Sequence, residues 1–94
     1  MAKTLVPLKT SGEVTTAADA AVELIAVPAG ARYTSAFFAN YSVNDAYFSL
    51  DGGTTWIFVG AGENRGYSDV EIFSAVQVKN VDAGSNVTVT AEIW

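Results

Sequence analysis

Apolar and polar positions alternate cleanly at the carboxyl-terminal end of the chain and lose that alternation in the middle. Val87, Val89, Ala91 and Ile93 share one parity, while Thr88, Thr90 and Glu92 share the other. That pattern predicts an antiparallel strand with one face in a core and the other in water. Trp94 falls on the polar parity, so its indole either folds back over its own sheet or anchors in a neighbouring chain. Further strand signals cover residues 22–27, 32–41, 46–50, 56–59, 65–67, 70–73, 75–81 and 87–94, with Gly, Pro, Asn and Asp between them. Residues 4–8 read as an extended arm that Pro7 confines to an edge or to isolation. No segment reads convincingly as a helix; the alanine-rich stretch 11–21 offers one turn at most. The expectation is an all-β fold: a small antiparallel β-sandwich or jelly roll of about eight strands. An extended arm over 1–12 precedes a single body over 13–94.

The middle strands are apolar on both parities. Tyr33, Phe37, Ala39 and Tyr41 oppose Ala36 and Phe38; Trp56 and Phe58 oppose Ile57 and Val59. A strand apolar on both sides needs cover on both sides, and a small two-layer body covers only one face of each sheet with its own atoms. The second face is therefore expected to meet another polypeptide, with Phe38, Ile57, Val59 and Trp94 as the candidate subunit interface.

One motif stands out. Ser49-Leu50-Asp51-Gly52-Gly53-Thr54-Thr55-Trp56 has the S-x-D-x-G-x-T-W spacing of an Asp-box hairpin. A short carboxylate such as Asp51 accepts hydrogen bonds from the backbone N–H groups that follow it and so holds a tight turn. Gly52 and Gly53 supply positive φ. Thr55 and Trp56 restart the strand, and the indole is expected to plug the underside of the hairpin. Ser49, Asp51, Gly53, Thr55 and Trp56 are thus read as a structural turn. A single copy argues against a propeller, in which such motifs recur from blade to blade.

Composition sharpens the picture. Of 94 residues half are hydrophobic and only 16% are charged, against about 25% in an average soluble domain. So little charge over so much surface again points to a face covered by a partner. The net charge of −5, with its few cations scattered, argues against nucleic acid. No apolar run reaches the ~20 residues of a membrane-spanning helix. Without His or Cys the chain lacks the usual general base, the strongest nucleophile and the commonest transition-metal ligands. The acids lie mostly in turns, where they serve the backbone or the solvent, so an enzyme is not expected. Nor is a cofactor or metal: Asp51 with Glu63, or Asp82 with Asn86, offers too few oxygens for calcium.

The segment Ala46-Tyr47-Phe48-Ser49-Leu50-Asp51-Gly52-Gly53-Thr54-Thr55-Trp56 leads into a Val59-Gly60-Ala61-Gly62-Glu63 turn and, later, a Val-rich terminal strand. Behind a basic, extended amino-terminal arm, this combination resembles the head decoration or cement proteins of tailed bacteriophages. The resemblance implies a non-enzymatic virion protein, made in the host cytoplasm, that stabilises the capsid surface. It further implies a homo-oligomer, a trimer favoured over a dimer, seated on the major capsid protein, with no nucleic acid and no membrane involved. The arm would then lie along the shell through Lys3, Leu5, Val6 and Lys9. The alternative is a carbohydrate-binding module of a phage fibre or spike, with Tyr41, Tyr47 and Tyr67 stacking on sugars.

Overall fold

The computed structural model describes the backbone of residues 8–14 and, with their side chains, residues 21–82 and 84–94. The described residues form β1 (Leu8–Val14), β2 (Val22–Ile25), β3 (Ala36–Asn40), β4 (Ala46–Ser49), β5 (Ile57–Val59), β6 (Asn64–Tyr67), β7 (Val76–Asn80) and β8 (Val87–Ile93). The strands lie in two antiparallel sheets, ordered β1-β8-β3-β6 and β2-β7-β4-β5. The pairing is nested. β1 pairs β8, β2 pairs β7, β3 pairs β6 and β4 pairs β5, so the chain is one long hairpin doubled back at the β4–β5 turn. The β3–β8 and β4–β7 ladders then roll that hairpin into two layers. No described helix is long and apolar enough to cross a membrane.

Inward residues of the two sheets make one sandwich-like core. Val87, Val89, Ala91 and Ile93 of β8 meet Ala36 and Phe38 of β3 on one side, and Ala46, Phe48, Val59, Val76 and Val78 close the other. The central contact crosses between the sheets: Phe38 stacks on Phe48 with centroids 4.6 Å apart and rings 9° from parallel. Tyr67 adds a tilted ring against Phe38 at 6.1 Å. Offset-stacked rings add to the burial of their own area, so this pair ties one layer to the other.

Polar side chains seal one end of the layers. Buried Asn40 donates from Nδ2 to the carbonyls of Asn44 and Val59, at 2.8 and 3.1 Å. Buried Asn80 donates to the carbonyls of Asp82 and Ser85, both at 2.8 Å. Each asparagine ends a strand on an inward parity, where its amide closes the following loop. Among the described residues no buried side-chain nitrogen or oxygen lacks a partner, as a low-dielectric interior requires.

Two expectations need correction. The arm boundary at residue 12 falls inside a strand, because 8–12 pair with β8 in register Leu8↔Ile93 to Gly12↔Val89. The alternating β8 offers an open edge that a neighbouring extended segment satisfies by backbone pairing. The long strand read over 32–41 begins only at Ala36. Before it, Thr34 and Ser35 both donate to the Trp94 carbonyl, at 2.9 and 3.1 Å, which breaks the regular ladder. Tyr33 makes an isolated bridge to Ile72, the remnant of the segment read over 70–73.

Phe38→Ala removes the ring at the centre of the core and is expected to cost about 3–5 kcal/mol of unfolding free energy. Tyr41→Ala, on the exposed loop after the same strand, is expected to stay within about 0.5 kcal/mol. Urea denaturation of the two variants checks both.

Candidate functional site

The Asp-box turn between β4 and β5 is built by two side chains. The Ser49 hydroxyl donates to Asp51 Oδ1 at 2.8 Å and accepts from the Gly53 N–H at 2.8 Å. Asp51 Oδ1 also accepts from the N–H groups of Thr54 and Thr55, at 3.1 and 2.8 Å. These backbone donors, Thr55 first, hold the Asp51 carboxyl below its ordinary pKa against the opposing effect of burial. Gly53 has φ +97°, and a Cβ there would sit 2.8 Å from Gln77 Oε1. Asp51 Oδ1 is thus committed to the Ser49 hydroxyl and to the backbone of its own turn.

Three further acids are engaged in the same way or by arginine. Glu63 Oε1 accepts from the Gly60 N–H, and Asp45 Oδ1 from the Ala61 N–H, both at 2.9 Å. Glu63 also faces Arg65 at 3.5 Å, and Glu71 faces Arg32 at 3.1 Å. Asp51 precedes β5 and Glu63 follows it, so β5 separates the pair considered for calcium. Among the described residues no three His, Cys, Asp or Glu side chains group as metal ligands.

The residues expected at a subunit interface separate. Phe38 and Val59 are wholly buried, 0% exposed, and belong to the chain's own core. They are unavailable to any neighbour. The register explains why: Val59 lies opposite inward Ala46, so Phe58, one position earlier, must point out. Ile57 is partly buried against the core. Trp94 remains 38% exposed at the end of β8. The arm residues Lys3, Leu5 and Val6 lie outside the described residues, while Lys9 sits in β1 opposite Glu92.

The interface reading missed what gathers on the outer face of the second sheet. Tyr47 stands out from β4 opposite Phe58 of β5 on one side and Lys79 of β7 on the other. One pleat along, Ser49 lies opposite Gln77, and Gln77 opposite Glu23 of β2, but there the Asp-box turn folds over the sheet and leaves Ser49 fully buried. The Tyr47 and Phe58 rings meet edge to face at 5.8 Å. The Lys79 ammonium lies 4.4 Å from the Trp56 ring centroid and 5.6 Å from that of Tyr47. Trp56 therefore joins this outer cluster while its indole also lies against the turn, where a Cβ on Gly53 would meet its ring carbon at 3.6 Å. The cluster spans β5, β4 and β7 through Phe58, Tyr47 and Lys79, with the Trp56 ring reaching Lys79 from the start of β5 and Phe58 still 45% exposed.

The first sheet looks different outside. There β8 presents Thr88, Thr90 and Glu92, and the half-buried Phe37 lies across Gly66, where a Cβ would meet its ring carbon at 3.6 Å. The tyrosines considered for sugar stacking do not converge: Tyr41 is on the β3–β4 loop, Tyr47 on the second sheet and Tyr67 against Phe38.

No protein-family model and no curated protein sequence matches the chain. Among solved structures it is similar to a de novo designed double-stranded β-helix, at 15% identity and a TM-score of 0.50. That likeness covers 93% of this chain and 99% of the designed one. At such identity it speaks to the fold alone.

Two outcomes are expected at the turn. The Asp51 contribution to stability is complete above the ordinary carboxyl value of 3.8 and is lost as pH falls through its lower folded-state value. Asp51→Asn should therefore flatten the acid limb of a stability-versus-pH curve measured by urea unfolding. Gly53→Ala should cost about 1–3 kcal/mol, because alanine must adopt positive φ and displace Gln77.

Proposed function

We propose that the chain is a non-enzymatic structural subunit of a tailed-phage virion, decorating and stabilising the capsid as a homo-oligomer seated on the major capsid protein. The observation that carries this reading is the contrast between the two outer faces. One presents Thr88, Thr90 and Glu92 with Phe37 half-buried and Trp94 at its end, whereas the other clusters Tyr47, Trp56 and Phe58 around Lys79 on a body already sealed inside. Large rings left outside a complete core are explained by a polypeptide that covers them. The absence of His and Cys, and acids engaged by backbone and arginine, support a protein that works by fit.

The body is read as a jelly roll. Support comes from the nested pairing of β1–β8, β2–β7, β3–β6 and β4–β5, and from the likeness to a designed double-stranded β-helix. In this reading Lys3, Leu5 and Val6 precede the sheet and reach along the shell, while Lys9 marks where the arm becomes β1. Many identical sites on a shell turn modest single contacts into durable retention. The virion surface is the proposed location.

Capsids stripped of this protein should retain the added wild-type chain on co-sedimentation. Deletion of residues 2–7, which spares β1, should release it while leaving its far-ultraviolet circular dichroism intact. Equal retention of the deleted chain would refute the arm's role, and no retention of the wild type would refute the virion reading.

A further inference from the structure

We propose that the Asp-box turn is a lock against strand exchange: it holds each chain closed on itself, and opening it lets two copies trade halves. This stands apart from the virion reading, because it concerns how the body closes and not what it then binds. The ladders carry it. The turn, residues 50–56, divides the strands into a first half, β1–β4, and a second half, β5–β8. Among the described residues every ladder crosses that divide: β1–β8, β2–β7, β3–β6, β3–β8, β4–β5 and β4–β7. In both sheets the strands alternate between halves, so neither half has a ladder of its own. The Tyr33–Ile72 bridge and the bonds from Thr34 and Ser35 to the Trp94 carbonyl cross the divide as well.

The two halves also match in register. Asn40↔Val89 and Phe38↔Ala91 of the β3–β8 ladder have their counterparts in Asn80↔Ala46 and Val78↔Phe48 of the β7–β4 ladder. Asn40 and Asn80, both buried, end equivalent strands and close the loops that follow. The body is thus two like halves wound about each other, as two separate chains would be in an isologous pair. A second copy supplies an identical complement to either half. With the turn extended, the first half of one chain meets the second half of another and every ladder re-forms. The Phe38–Phe48 stack lies within the first half and survives unchanged. Only the path between Ser49 and Ile57 differs, which is the situation in which exchange costs least.

The turn decides between the two outcomes. Gly52 and Gly53 hold φ of +75° and +97°, which a reversing chain needs here and an extended one does not. Ser49 and Asp51 bind the N–H groups of Gly53, Thr54 and Thr55, and those bonds exist only while the chain reverses. An extended 50–56 would instead reach up to roughly 25 Å and lead β5 out of one body into the next.

The chain has no cysteine, so an engineered disulfide reports the partner of each half without interference. Ser11 and Thr90 are partners in the β1–β8 register, remote in sequence from the turn. In a full chain carrying Ser11→Cys and Thr90→Cys, closure links the chain to itself, whereas exchange links one chain to another. Closed chains that merely associate through their surfaces still link internally. After refolding and oxidation, non-reducing electrophoresis should show the internal link for the native turn. Adding Gly52→Pro with Gly53→Pro, which forbids positive φ and suits an extended path, should raise the interchain product at least ~tenfold. A flexible Gly/Ser insertion beside the two prolines should restore the internal link. Circular dichroism confirms that each variant is folded. An interchain product that already dominates with the native turn overturns the proposal, as does a folded proline variant that links only internally. If the prolines prevent folding, Asp51→Ala decides: a rise in interchain product supports the lock, and no rise overturns it.

Discussion

The structure depends on one contact made across its middle, the stacked rings of Phe38 and Phe48. They come from different sheets and belong to one buried apolar cluster that both layers share. The stack determines which parity of β3 and β4 is inside, and each neighbouring strand inherits its facing through the backbone ladders. Because side chains alternate strictly, a parity assigned at the core assigns the outer face as well. Burying Phe38, Phe48, Ala46 and Val59 is what leaves Tyr47 and Phe58 outside.

The functional reading follows from that constraint. A body of this size has one shared interior, and its two exteriors need not be alike. Here the exterior of β8 is ordinary solvated sheet, with Thr and Glu in alternation. The exterior of β4 and β5 is aromatic and threaded by Lys79, whose stem and ammonium partly shield Trp56 and Tyr47. Asp45, Asp51, Glu63 and Glu71 are held by backbone N–H groups or arginine, and the described buried polar groups are satisfied. The proposed fit against another surface draws on the outer aromatics.

Much of this was legible beforehand, for identifiable reasons. The alternation of Val87, Val89, Ala91 and Ile93 marked β8 because that strand is solvated on one side. The spacing from Ser49 to Trp56 marked the β4–β5 turn because a carboxylate serving consecutive N–H groups leaves a fixed pattern. Where both parities are apolar, as in β3 and β5, the sequence carries no sign of which faces inward. Val59 and Phe38 were accordingly placed outside, and Phe58 was passed over. Pairing supplied what periodicity lacked: Val59 is inside because Ala46 is. Asn40 and Asn80 were invisible for a related reason, since a buried amide reads as a turn residue until the carbonyls it closes upon are known. The β1 segment read as an arm because its order comes from the edge of β8 and not from an apolar pattern of its own.

The claim that the outer aromatics of the second sheet are covered in the working protein is tested most directly by hydroxyl-radical footprinting across protein concentration. The expected result is that Tyr47, Trp56 and Phe58 become protected as concentration rises, while Tyr41 and Phe73, exposed elsewhere, label at a constant rate. Labelling of Phe58 as fast as Phe73 at every concentration, with or without capsids present, would contradict it.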